Sequence, residues 1–123
     1  MKKLLLLLIL CFALTLNAQT TFDISWVLNA GPANLTIDQG DTVRWTWGDG
    51  LPHSVTSLPG STESFDSGIQ TGMGTEFTFT FNDVGTNDYQ CQVHPMTMFG
   101  TITVEEILSV SDKFARNLNV FPN

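Results

Sequence analysis

The sequence predicts an all-β domain, a two-sheet sandwich or Greek-key barrel, over residues 19–106, and three observations predict it. Apolar residues alternate with polar ones in several short runs. Turn-forming residues such as Asp38-Gln39-Gly40-Asp41 separate those runs. No helical stripe in 19–106 is long enough to compete, although Phe65 to Met73 has room for a short turn. Strands with one apolar face each must bury those faces against one another, which is what a two-layer fold does.

Each run supports that prediction in order. Phe22, Ile24 and Trp26 alternate with Asp23 and Ser25, and Leu35 and Ile37 form a shorter run before the Asp-Gly turn. Val43, Trp45 and Trp47 share one face, with Arg44 and Thr46 on the other. Phe77, Phe79 and Phe81 repeat the pattern with threonines between them, and Thr101 to Val104 is a last β-branched run. The three tryptophans read as core aromatics.

The ends of the 123-residue chain read differently. Lys2-Lys3 followed by the apolar run Leu4 to Leu16 has the make-up of an export signal, with Ala18 as the small residue before cleavage at Gln19. That run is too short for the roughly 20 residues a bilayer span needs. Residues 1–18 are therefore expected to be a signal peptide, and the domain to work in the periplasm, at the cell surface or as a secreted protein. Beyond Glu106 the alternation is lost, and residues 107–123 read as a linker. Its final stretch, Asn119-Val120-Phe121-Pro122-Asn123, resembles the opening of the C-terminal sorting domain of type IX secretion substrates, which would make this a truncated chain.

Charge and cysteine usage narrow the function. Without residues 1–18, three basic side chains (Arg44, Lys113 and Arg116) face 12 acids. Such a balance carries the wrong sign for nucleic acid or an anionic membrane, and the right one for a basic partner. One cysteine, Cys91, remains; exported proteins usually pair theirs, so a lone one is an inert core residue, a reactive thiol, an intermolecular bridge or a metal ligand.

Its neighbours decide between these. Cys91, His94 and Met98 lie within eight residues, in Cys91-Gln92-Val93-His94-Pro95-Met96-Thr97-Met98, between the last two predicted strands. The second histidine, His53, sits upstream in Pro52-His53-Ser54-Val55. Thiolate and thioether are soft ligands that suit copper, and imidazole suits copper or zinc. Two histidines, one cysteine and a weak axial methionine make the blue-copper set, and it is the only complete set this chain can assemble. Taken singly, each residue has an ordinary structural explanation as a loop histidine, a buried thiol or a core methionine. Together, at this spacing, they read as one site.

From about Thr36 to Val104 the chain resembles the plastocyanin-like cupredoxins, the halocyanin and amicyanin branch included. The resemblance is carried by Gly40-Asp41-Thr42-Val43, Pro52-His53-Ser54-Val55, Phe65-Asp66-Ser67-Gly68, the Phe77–Phe81 strand, Tyr89, the Cys91-x-x-His94-Pro95 pattern and Gly100-Thr101-Ile102. It implies a cupredoxin-like Greek-key β-sandwich holding one type 1 copper ion and shuttling single electrons. It also implies His53, Cys91 and His94 as equatorial ligands and Met98, two residues before the closing Gly100, as the axial one. Three residues separate His94 from Met98, fewer than in plastocyanins and more than in amicyanins, so Met96 stays open as the alternative axial ligand. Met73 reads as surface or core filler. Ser54 is expected to hydrogen-bond near the sulfur, and Leu51, Pro52, Pro95, Met96 and Phe99 to form an apolar rim around His94.

The expected partners are redox proteins, a basic one such as a c-type cytochrome among them, meeting a monomer. The alternatives in other classes are copper delivery or storage, a structural zinc site using a carboxylate as fourth ligand, and a metal-free binding module. Enzyme readings fail on composition. A histidine-brace monooxygenase needs His where Gln19 stands, a dinuclear copper centre needs a second cysteine on the loop, and multicopper enzymes need more than two histidines.

Overall fold

The alternation at Phe22, Ile24 and Trp26 becomes strand β1 (Thr21–Trp26) in the computed structural model, which describes residues 18–108. The Leu35 and Ile37 run is β2 (Leu35–Asp38), and the tryptophan run is β3 (Thr42–Trp47). Two short strands follow, β4 (Pro52–His53) and β5 (Thr56–Ser57), then β6 (Gln70–Thr71). The phenylalanine run is β7 (Glu76–Thr80), and β8 (Gly85–Gln90) and β9 (Phe99–Glu105) close the chain. Phe65–Met73, where the sequence leaves room for a short turn, contains no helix, and a turn begins at Met73. Part of that segment pairs as β6 against β4 instead, with His53 opposite Gln70, because backbone groups there satisfy each other across strands.

The strands form the two expected layers. One sheet runs β1-β3-β7 and the other β2-β9-β8-β5, with β4-β6 as a small third sheet. β1 lies parallel to β3, and β2 parallel to β9, while the remaining pairs are antiparallel. Parallel pairs cannot be joined by a tight hairpin, so the chain crosses between layers as a sandwich does. The predicted signal residues up to Asn17, and the tail from 109 to 123, lie outside the described residues. Among the described residues no helix is long and apolar enough to cross a membrane.

The period-two pattern decides what is buried. Val43, Trp45 and Trp47 point inward from β3 while their neighbours are only half-buried. Ile102 and Val104 do the same from β9, and Ile37 from β2. Tyr89, on β8, fills the space between the layers, its ring 5.5 Å from that of Trp26 and 5.3 Å from that of Trp45. Its hydroxyl donates to the Ala33 carbonyl at 2.6 Å, so the polar tip is satisfied inside the core.

Burial pushes the Tyr89 phenol up from its usual value near 10 to about 12. The unfolded chain therefore releases this proton two units before the folded one. Between pH 10 and 12 the folded state binds more protons, and stability falls with pH by about 1.4 kcal/mol per unit from this group. Tyr89 is the only tyrosine, so tyrosinate absorbance is expected to rise together with unfolding in an alkaline titration. A tyrosinate signal that appears near pH 10 with the fold intact would contradict this.

Candidate metal centre

Two elements supply the site. β4 carries His53, and the loop between β8 and β9 carries Cys91 and His94. That loop is closed by its own backbone: the Cys91 N–H donates to the Met98 carbonyl at 2.9 Å, which brings its two ends side by side. Inside it, the His94 carbonyl accepts from the N–H groups of Thr97 (3.2 Å) and Met98 (3.0 Å), forming the turn through Pro95 and Met96. A second clamp comes from the segment after β1, where Gly31 N–H donates to Thr97 and Ala33 N–H to Phe99.

The side chains meet in a triangle. His53 Nδ1 lies 3.3 Å from His94 Nδ1 and 3.9 Å from Cys91 Sγ, and His94 Nδ1 lies 3.7 Å from Cys91 Sγ. The point equidistant from those three atoms is about 2.1 Å from each, close to the roughly 2.0–2.3 Å at which imidazole nitrogen and thiolate bind a first-row metal ion. Among the described residues these three form a group able to hold an ion. Cys91 and His53 are fully buried, and His94 is half-buried.

The two methionines of the loop part company. Met98 is fully buried at the closed end of the loop, whereas Met96 is 87% exposed at its tip. Met73 is also exposed. Of the residues expected to form an apolar rim, Leu51, Pro95, Met96 and Phe99 are exposed and Pro52 is half-buried; Val93, next to His94 in sequence, is exposed too.

Ser54 supports the sulfur as anticipated. Its N–H points at Cys91 Sγ from 3.4 Å, and its hydroxyl accepts from the Gln92 N–H at 2.9 Å. The Ser54 carbonyl accepts from Trp26 Nε1 at 3.0 Å, which ties this backbone to the core. An N–H aimed at a ligand sulfur withdraws density from it and so raises a metal's potential.

Sequence reasoning missed Asp49. Its Oδ1 lies 2.6 Å from His53 Nε2 and accepts from the Leu51 N–H at 2.9 Å, while its Oδ2 accepts from the Leu28 N–H at 3.0 Å. The Leu28 N–H first, and then those of Leu51 and His53, hold the Asp49 carboxyl below the usual carboxylate range against the opposing effect of desolvation. An Asp between two glycines, four residues before a candidate ligand, was the available signal, but it reads as an ordinary turn. Asp49 sits on the Nε2 side of His53, away from the triangle, so it does not supply the fourth ligand a structural zinc site would take.

A β-sandwich in which two imidazoles and one thiolate converge is of the class that offers a single site to a soft metal ion. The chain belongs to the copper-binding plastocyanin/azurin family, whose model matches residues 18–105. Halocyanin from Natronomonas pharaonis is 41% identical over 76 residues, 60% of this chain and 47% of that protein. Amicyanin from Paracoccus versutus is 36% identical over 73 residues, 58% of this chain and 54% of that protein. The chain thus spans about half the length of the curated relatives it matches. Among solved structures, the reduced Cu(I) form of an amicyanin variant superposes with a TM-score of 0.56 at 26% identity, covering 76% of this chain and 88% of that one. The family and fold expected from the residue pattern are those found, and copper is the family's metal.

Proposed function

We propose that this protein is a one-electron carrier, holding a single copper ion between His53 Nδ1, Cys91 Sγ and His94 Nδ1, with Met98 rather than Met96 as the weak axial ligand. The observation that carries this is the triangle of ligand atoms, which already stands at bonding spacing. Bound copper would supply a reversible Cu(II)/Cu(I) couple, and the chain does the rest. Backbone hydrogen bonds across the Cys91–Met98 loop and from Ser54 fix the donors, so the frame does not relax when the charge on the metal changes. Burial of Met98 and exposure of Met96 support the axial assignment.

His94 is the exit for the electron in this reading. It is the one ligand of the three that is not fully buried, and its exposed apolar neighbours in the loop, Val93, Pro95 and Met96, suit a partner that comes close over an apolar contact and leaves quickly. Among the described residues Arg44 is the one Lys or Arg, and Asp23 neutralises it at 2.6 Å. The remaining acids favour a basic partner such as a c-type cytochrome, met by the protein as a monomer. Residues 1–18 act as the export signal, residues 19–106 as the copper domain and residues 107–123 as a linker, which places the carrier outside the cytoplasm.

The test is optical. Adding Cu(II) to the purified protein is expected to give an intense visible thiolate-to-copper band at one equivalent, bleached by a one-electron reductant and restored by oxidant. A colourless product, or a band that does not cycle, overturns the electron-carrier reading. Rapid loss of copper to a mild chelator with slow reduction would point to delivery or storage instead.

A further inference from the structure

Asp49 has no part in the ligand triangle, yet it is the strongest polar contact of the buried ligand His53. The distance of 2.6 Å from Asp49 Oδ1 to His53 Nε2 is that of a charge-assisted hydrogen bond. His53 is fully shielded from solvent, so no water competes for its Nε2–H. Neutral imidazole carries one N–H, and a carboxylate can only accept. The proton must therefore sit on Nε2, leaving the Nδ1 lone pair facing Cys91 and His94. The carboxylate is itself fixed by N–H donors from two segments, Leu28 after β1 and Leu51 in its own turn. The Leu28 segment continues into Gly31 and Ala33, which clamp the Cys91–Met98 loop. One side chain thus joins both halves of the site.

We infer that Asp49 is a positioning residue that holds His53 ready to bind through Nδ1 and, by its negative charge behind the ring, biases bound copper toward Cu(II). This rests on the copper reading above. A carboxylate accepting from the far nitrogen makes an imidazole a stronger donor, which favours the more highly charged ion. The Ser54 N–H at Cys91 Sγ acts in the opposite sense, by drawing density from the sulfur. The two contacts flank the site from opposite ligands, so the potential reflects their difference.

The experiment has one arm on the metal-free protein and one on the copper-loaded protein. In the metal-free wild type, nitrogen-15 NMR is expected to find His53 as the Nε2–H tautomer, its ring proton protected from exchange. An Nδ1–H tautomer overturns the inference whatever the metal does, and needs no variant to fold. In the loaded protein, Asp49→Asn keeps an oxygen acceptor but removes the charge. It is expected to shift the Cu(II)/Cu(I) equilibrium about tenfold toward Cu(I), a rise of about 59 mV for one electron. Glu76→Gln, a charge removed from the edge strand β7, is expected to shift it far less. A potential in Asp49→Asn that stays at the wild-type value, with the visible band present, overturns the bias. Failure of the wild type to take up copper overturns the copper reading itself, and is recognisable because no band forms.

Discussion

Replacing Cys91 with Ser is expected to abolish the intense visible band of the copper-loaded protein and to lower copper affinity by about 100-fold or more. Changes to outer contacts alone typically cost 10–100-fold in metal affinity, and this one removes a ligand. Such a band would arise from charge transfer between the Cys91 thiolate and bound copper, and a serine hydroxyl offers neither the soft donor nor the low ionisation energy. Ser is smaller than Cys by little, so the fold is expected to survive. The Ser54 N–H loses its sulfur acceptor, and the Cys91 backbone bond to Met98 is untouched. Visible titration with Cu(II), followed by competition with a chelator, measures both effects. Retention of the band in Cys91→Ser would exclude Cys91 as the ligand and with it the proposed centre.

Gly100→Ala is expected to destabilise the fold by about 3 kcal/mol, from overpacking of roughly 1–3 kcal/mol plus a weakened buried hydrogen bond of about 1 kcal/mol. Gly100 pairs with Tyr89 across β8 and β9. A Cβ there would overlap the Ala33 carbonyl oxygen and stand 2.8 Å from the Tyr89 hydroxyl, the two groups that hydrogen-bond each other. Neither can yield easily, since one is backbone and the other is wedged between Trp26 and Trp45. The damage reaches the site, because Ala33 also clamps Phe99 at the end of the ligand loop. Urea unfolding should show a lower midpoint at unchanged slope. A loss below about 1 kcal/mol would mean that the strands part more readily than this packing allows. Tyr89→Phe, which removes only the hydroxyl bond, should cost about 1 kcal/mol by the same assay.

The site differs from the core in how much of it the sequence spelled out. The tryptophan run of β3 and the phenylalanine run of β7 were legible because burial on one face writes itself as alternation. β8 shows no such alternation, since it reads Gly-Thr-Asn-Asp-Tyr-Gln, and its inward residues are Asn87 and Tyr89. Asn87 is buried because its side chain accepts from the Glu63 N–H at 2.7 Å, a partner 24 residues away that no local pattern announces. β4, β5 and β6 have two residues each, too few for any period to register.

Residue chemistry alone determined that this chain is an all-β domain with a copper-type donor set, because ligand softness and strand periodicity are properties of side-chain type and order. Tertiary structure alone decided that His53 reaches Cys91 and His94 at bonding spacing, that Met98 is inside and Met96 outside, and that Asp49 stands behind His53. Those are distances between strands and loops far apart in sequence, and they exist only once the two sheets have packed and the loop between β8 and β9 has closed on itself.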